Sequence, residues 1–221
     1  LAIETSEEAC SAALLSDGAC SELFELEPRR HSELILPMID RLLAEAGLPR
    51  SALDAVAFGR GPGSFTGVRI ATAVAQGIGF GLDIPVIPVS TLQALAQGIH
   101  RQSGTEQVLA ALDARMHEVY WGAFSSDGTI MRAAGEELVI APADVPLPED
   151  GQWTGAGSGW TSYLDILSQR LAGHIAEIAG ETACHAQDVA IIAASLLESG
   201  SGYSVFDALP VYLRNQVTHQ R

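Results

Sequence analysis

The chain has 221 residues, of which 48% are hydrophobic and 18% charged, so it holds enough apolar material for a core and too little charge for a disordered chain. All 12 of its basic residues are arginine, and the absence of lysine excludes Schiff-base chemistry and a P-loop nucleotide site. A net charge of −15 disfavours the binding of RNA or DNA by this chain alone, because phosphate backbones are also negative.

Residues 1–100 predict strands that alternate with helices. The strands are expected at residues 1–3, 11–15, 19–26, 55–58 and 85–89. The helices are expected at residues 31–46, 65–80 and about 90–99. The turn Ser16-Asp17-Gly18 predicts a hairpin, and Gly47 marks the end of the first helix. This alternation indicates an α/β fold with parallel strands.

The next part of the chain repeats some of this pattern. A predicted strand at 108–112 ends in Asp113, as the first strand ends in Glu4, and a second Ser-Asp-Gly turn follows at 126–128. Both landmarks are offset by about 110 residues, which predicts a duplicated strand–hairpin unit. Further helices are expected at residues 161–171 and 186–197. We expect an N-terminal subdomain at 1–100, a C-terminal subdomain at 101–205 and a tail at 206–221 that packs back on the body.

The loop Gly61-Pro-Gly-Ser-Phe-Thr-Gly67 leads from a predicted strand into a predicted helix. Free backbone amides at such a helix start attract phosphate or carboxylate groups. With Glu4 and Thr5 at the end of the first strand, the loop could serve a small ATPase or kinase. Alternatively, the glycines serve only a tight strand-to-helix turn that requires small residues.

The sequence offers few groups for catalysis or metal binding. Its six histidines form no pair at helical ligand spacing, and no G-x-S-x-G motif is present, which also disfavours a peptidase. Cys10, Cys20 and Cys184 are too scattered for a disulfide framework or a C-x-x-C zinc site, and free thiols predict a cytoplasmic protein. No apolar stretch reaches about 18 residues, so no membrane span is expected. We therefore expect no catalytic residue, metal ion or cofactor.

The predicted helix over 65–80 is apolar on all sides, whereas a helix that covers a sheet on a monomer's surface has a polar face. Gly67, Gly77 and Gly79 remove bulk, so another backbone can approach closely. The helix over 31–46 also has a broad apolar side. Either a partner chain or the second half of this chain covers these helices, and we favour a partner. The expected contact residues are Leu34, Ile35, Met38, Leu42, Ile70, Val74 and Ile78.

Seven segments, in order along nearly the whole chain, resemble the bacterial TsaB (YeaZ) family. They are LAIETSEEACSAAL from residue 1, HSELILP from 31, GPGSFTGVR from 61, PVSTL from 88, LDARM from 112, EVYW from 118 and PVYLRN from 210. Residues 152–201 are the least diagnostic part. The resemblance implies an actin-like ATPase (ASKHA) fold with two RNase H-like α/β halves, the second of them reduced.

The resemblance also implies a function. Members of this family are non-catalytic scaffold and dimerisation subunits. They act with TsaD and TsaE to transfer a threonylcarbamoyl group to N6 of adenosine 37 in tRNAs that read ANN codons. The N-terminal helices would bind TsaD in a heterodimer, or a second copy in a homodimer, with no stable tRNA binding by this chain itself. The alternative from the residues is a small actin-fold ATPase or kinase that uses Glu4, Thr5 and the Gly61–Gly67 loop.

One difference from TsaD, the related catalytic subunit, is informative. TsaD carries a metal-binding H-x-x-x-H after the strand that corresponds to residues 85–89, and the best-aligned positions here are Thr91 and Leu95. Neither side chain can replace an imidazole ligand. If a nucleotide still binds, the resemblance places it at Thr5, Gly61 and Gly63, and we expect that binding to be weak or absent.

Overall fold

A computed structural model describes residues 1–149, 151–180 and 182–214. The β-strands of this part are β1 Ala2–Glu4, β2 Cys10–Ser16, β3 Ala19–Glu25, β4 Val56–Gly59, β5 Val86–Val89, β6 Gln107–Arg115, β7 Glu118–Ser126, β8 Met131–Ala133, β9 Leu138–Ile140, β10 Trp153–Ala156 and β11 Ile175–Ile178. Its α-helices are α1 His31–Ala46, α2 Phe65–Leu82, α3 Thr91–Ser103, α4 Ser158–Ser162, α5 Leu164–Arg170 and α6 Ala186–Glu198. None of the helices in the described residues has both the length and the hydropathy needed to cross a membrane.

The strands form two sheets with the same internal order. The first sheet runs β3-β2-β1-β4-β5, and the second runs β8-β7-β6-β10-β11, with β9 added beside β7. In each sheet the first three strands pair antiparallel and the last three pair parallel. This shared order confirms the duplicated unit that the Glu4 and Asp113 landmarks predict. The second copy is more irregular, because β6 continues past Asp113 through a bulge to Arg115.

Two helices lie between the sheets and build a common core. Helix α6 packs on β1, β2, β4 and β5 of the first sheet, whereas α3 packs on β6, β7 and β8 of the second, and the two helices contact each other. Leu92 and Leu95 of α3 and Val189 and Ile192 of α6 are buried in this core. A helix from the predicted C-terminal subdomain therefore covers the N-terminal sheet, and the subdomain boundaries stay a prediction.

A partly buried ion pair links α3 to α6. Arg101 donates two hydrogen bonds to Asp188, of 2.8 and 3.0 Å, and the Asp188 side chain is 1% exposed. A Cβ on Gly98 would lie 2.9 Å from Asp188 Oδ2, so the glycine leaves room for the carboxylate. Burial raises the pKa of Asp188, and the adjacent Arg101 guanidinium acts in the opposite direction.

The backbone conformation of single residues explains where several of the helices end. Helix α1 ends where Gly47 adopts a left-handed φ of 66°, and its amide donates to Ala44 O. The predicted helix over 161–171 is wrong in detail, because α4 and α5 are separate and meet at Tyr163, whose φ of −131° is not helical. Of the predicted tail, residues 206–214 are described, and residues 215–221 lie outside the described part.

Candidate protein-binding surface

Helix α2 has one face in the core and one in solvent. It begins at Phe65, where the Ser64 hydroxyl accepts a hydrogen bond from the Gly67 amide at 3.3 Å. Its inner side packs on the first sheet so closely that a Cβ on Gly79 would lie 2.4 Å from Val86. The exposed residues on the opposite side, which we call the outer face of α2, are Phe65, Thr66, Arg69, Ala73, Gly77, Phe80 and Gly81.

This outer face is mostly apolar. Phe65 is 59% exposed and Phe80 is 70% exposed. Arg69 is the one charged residue of the outer face, and its guanidinium lies 3.4 Å from the centre of the Phe65 ring. Ala73 and Gly77, between these aromatic rings, have little or no side chain, so a second backbone could approach them closely. Continuous exposed apolar surface of this kind is typical of protein-binding sites.

The C-terminal segment, residues 203–212, runs along α2 and extends the outer face. Gln76 Nε2 donates to the backbone oxygens of Val205 and Ala208, at 2.9 and 3.0 Å. The Phe206 ring lies edge-on to Phe80 with centroids 6.4 Å apart, and Phe206 is 74% exposed. The segment therefore adds apolar surface instead of covering the helix.

At the start of α2 the same segment contributes a second aromatic ring. Tyr212 lies 6.0 Å from Phe65, between ring centroids, and its hydroxyl accepts a hydrogen bond from Arg69 Nε at 3.0 Å. The sequence interpretation did not include these residues in the interface. The sequence feature that could have identified them is a regular spacing of large apolar residues, which occur at every third position: Tyr203, Phe206, Leu209 and Tyr212.

The seven predicted contact residues divide into two groups. Leu34 of α1 and Ile70, Val74 and Ile78 of α2 are half-buried at the edge of the core, so a partner could still contact them, and this part stays a prediction. Ile35, Met38 and Leu42 are wrong as contact residues, because they are between 1% and 6% exposed and pack within the chain's own core. The apolar side of α1 is thus used internally.

The predicted nucleotide loop lies against the end of β1. Thr5 Oγ1 donates to Gly67 O and Ser64 N donates to Ser6 O, both at 2.7 Å. A Cβ on Gly63 would lie only 2.4 Å from Ser6 O. Gly63 lies against Ser6 and Gly67 against Thr5, and the Thr5 hydroxyl and the Ser64 amide already have partners inside the chain. Nucleotide binding at Thr5, Gly61 and Gly63 stays a prediction.

The resemblance aligns Thr91 and Leu95 with the metal-binding histidines of TsaD. The Thr91 hydroxyl is 2.9 Å from Ser6 Oγ, and Leu95 is buried in the core. Within residues 1–149, 151–180 and 182–214, no group of three His, Cys, Asp or Glu side chains is arranged to hold a metal ion.

Glu4 is a buried acid at the end of β1. Its Oε1 accepts a hydrogen bond from Ser6 N at 2.5 Å, whereas Oε2 has no hydrogen-bond partner among the described residues. A Cβ on Gly59 would lie 1.9 Å from Oε2, so glycine at the end of β4 leaves room for the carboxyl group. Burial raises the pKa of Glu4 to about 7.

This raised pKa predicts a pH-dependent stability. Between pH 4.5 and pH 7 the unfolded chain loses the Glu4 proton before the folded chain does, so the free energy of unfolding should fall by about 3 kcal/mol as the pH rises. The glutamine of Glu4→Gln cannot ionise, so the free energy of unfolding of this variant should decrease less over the same pH range. Urea unfolding at several pH values measures it. Glu8→Gln, at an exposed position, is the control and should keep the full decrease. The same pH profile in Glu4→Gln and in the unaltered chain would contradict the assignment.

Comparisons with known proteins agree with one another in relating this chain to proteins of tRNA threonylcarbamoyladenosine biosynthesis. The family TsaD, described as tRNA N6-adenosine threonylcarbamoyltransferase, matches residues 25–198. The tRNA threonylcarbamoyladenosine biosynthesis protein TsaB of Escherichia coli K12 is 41% identical over all of this chain and 96% of its own length. The protein of the same name from Haemophilus influenzae is also 41% identical, over all of this chain and 95% of its own length.

A solved structure extends the comparison to the fold. YeaZ from Pseudomonas aeruginosa superposes with a TM-score of 0.90 at 46% identity, over 96% of this chain and 97% of its own. Together with the repeated order of the two sheets, this likeness confirms the actin-like α/β fold with two RNase H-like halves.

Proposed function

The chain belongs to the TsaB family, and on that premise we propose that it is a non-catalytic scaffold and dimerisation subunit in tRNA modification. In this proposal it acts in the cytoplasm with TsaD and TsaE, which require it to transfer a threonylcarbamoyl group to N6 of adenosine 37 in tRNAs that read ANN codons. It pairs with TsaD in the complex and with a second copy of itself when alone.

The outer face of α2 is the observation that carries this proposal. It is apolar, well exposed and continuous with the C-terminal segment, and its central residues, Ala73 and Gly77, are small. Burying such a face between two chains removes apolar surface from water, at about 25 cal/mol for each Å². The net charge of −15 supports leaving the contact with tRNA to the partners.

An ATPase or kinase that uses Glu4, Thr5 and the Gly61–Gly67 loop is less well supported. The Thr5 hydroxyl and the Ser64 amide, which would have to bind phosphate, bond instead to Gly67 O and Ser6 O. Opening the loop for a nucleotide would break both bonds and separate two backbones in direct contact.

Reconstitution tests the proposed function. With ATP and an activated threonylcarbamoyl donor supplied, we expect TsaD and TsaE to modify tRNA only when this chain is added, and this chain alone to modify none, as measured by mass spectrometry of digested tRNA. Ala73→Asp, on the outer face, should remove the stimulation, whereas Ala172→Asp, at an exposed position in the second half of the chain, should keep it. Full modification without this chain, or modification by this chain alone, would contradict the proposal.

A further inference from the structure

The outer face of α2 is arranged symmetrically about its own midpoint. Ala73 lies at the centre, and the other exposed residues lie at equal distances from it in pairs. The two members of each pair differ in size. Counted outwards from Ala73, the pairs are Arg69 and Gly77, Thr66 and Phe80, and Phe65 and Gly81. Each large side chain on one half of the face therefore has a smaller residue at the matching place on the other half.

Two of the small residues are not required by the packing of the chain itself. Gly77 and Gly81 lie within α2, and a Cβ added to either of them would meet nothing within 4 Å. Glycine inside a helix is less stable than alanine, so it is expected only where something needs the space. The fold of a single chain does not use this space, whereas a second chain in close contact with α2 would use it.

The exposed aromatic rings supply much of the area that a stable dimer requires. With about 200 Å² for a whole aromatic side chain, the side chains of Phe65, Phe80, Phe206 and Tyr212 leave about 500 Å² in solvent. Each partner in an interface of standard size buries about 800 Å². These four side chains thus supply more than half of that area, before the residues between them are counted.

Charge and size distinguish two ways in which a second copy could cover this face. A two-fold axis along α2 would make the helices parallel and place Arg69 against Arg69 of the second copy, which brings like charges together. A two-fold axis across α2 at Ala73 makes the helices antiparallel and places Arg69 against Gly77 of the second copy. The outer face has no acidic residue, so two chains of net charge −15 can meet there without opposing carboxylates.

We propose that two copies of this chain pair through their outer faces with the α2 helices antiparallel, around a two-fold axis at Ala73. Arg69 and Phe65 of each copy lie over Gly77 and Gly81 of the other. The C-terminal segments then lie on the same side of the paired helices and contact each other. This inference rests on the proposed function, in which the chain pairs with itself when alone, and adds which residues meet.

Disulfide formation between introduced cysteines tests this arrangement in the full chain. Helices whose axes are 8–10 Å apart would place the two Ala73 Cα atoms about 4–5 Å apart, which a disulfide can span. We expect Ala73→Cys to form a covalent dimer on oxidation, seen on a non-reducing gel. Ala172→Cys, at an exposed position in the second half, should form none, and neither should the unaltered chain, which carries the partly exposed Cys20.

A mixture of two variants tests the direction of the helices. Arg69→Cys mixed with Gly77→Cys should give mainly the mixed covalent dimer, identified by a tag on one of the chains. In antiparallel helices the two residues at position 69 are about 12 Å apart along the axis, too far for a disulfide. Parallel helices would instead link Arg69→Cys to itself.

Gly77→Leu tests the fit without a cysteine. Because leucine favours a helix more than glycine does, the variant should be more stable in urea than the unaltered chain. It should nevertheless dimerise at least about tenfold more weakly, since the new side chain occupies the place of Arg69 from the second copy. Ala172→Leu adds apolar surface elsewhere and should leave the dimer unchanged.

Light scattering shows whether a dimer exists and so separates this inference from the proposed function. A dimer in which Ala73→Cys does not cross-link, Arg69→Cys links to itself, or Gly77→Leu pairs normally would overturn the arrangement alone. A chain that is monomeric by itself and pairs only with TsaD would overturn the arrangement and the homodimer but leave the scaffold function. A chain that pairs with neither would overturn both proposals.

Discussion

Ala73→Asp is expected to weaken the association of this chain with TsaD at least about 100-fold. Ala73 lies in the middle of the outer face of α2, between Phe65 and Phe80. If a partner covers that face, the new carboxylate is buried without a counter-charge, which costs about 3–5 kcal/mol. In the free chain the same residue stays in solvent and costs only the difference in helix propensity, about 0.7 kcal/mol or less. Calorimetric titration with TsaD measures the affinity.

Ala172→Asp adds the same charge at an exposed position away from α2 and should bind TsaD normally. Urea unfolding of both variants shows whether either substitution has damaged the fold. An Ala73→Asp chain that folds and binds TsaD as tightly as the unaltered chain would exclude the outer face of α2 as the interface.

Arg101→Ala should lower the free energy of unfolding by about 3–5 kcal/mol near neutral pH. The substitution leaves the Asp188 carboxylate, 1% exposed, without its partner between α3 and α6. The loss should be smaller at acidic pH, because a protonated Asp188 needs no counter-charge. Urea unfolding at pH 7 and at pH 4 measures both effects.

Two further variants test whether the unpaired Asp188 carboxylate causes the loss of stability in Arg101→Ala. The double variant Arg101→Ala, Asp188→Asn should recover part of the stability, since it removes the buried charge as well. Arg41→Ala breaks an ion pair with Glu45 on the surface of α1 and should have a far smaller effect. If Arg101→Ala were no more destabilising than Arg41→Ala, the pair would not be what holds α3 to α6.

The strongly periodic parts of the fold could be predicted from the sequence. The bounds predicted for α1 agree with those in the structure at both ends, because the apolar spacing of this helix is regular and Gly47 ends it. The repeat could be predicted because Glu4 and Asp113 follow similar strands at a constant offset. The break at Tyr163 could not, since the apolar pattern of α4 and α5 continues through a residue whose backbone is not helical.

The exposed apolar surface on α2 could be predicted only in part, and the reason is geometric. Apolar spacing identifies which residues of α1 share a side, but not whether that side faces the core or a partner. Ile35 and Met38 face the core. On α2 apolar residues lie on every side, so the sequence indicates that some exposed face is apolar without saying which. Phe206 was missed because its place beside Phe80 depends on where the end of the chain returns to α2.

The mass of the protein in solution tests the central claim most directly, namely that the outer face of α2 is covered by another chain. In light scattering we expect the purified protein to have twice its chain mass of 23.2 kDa, and to exchange this dimer for a complex of one chain with one TsaD when TsaD is added. A mass of 23.2 kDa at every concentration, unchanged by TsaD, would contradict the account.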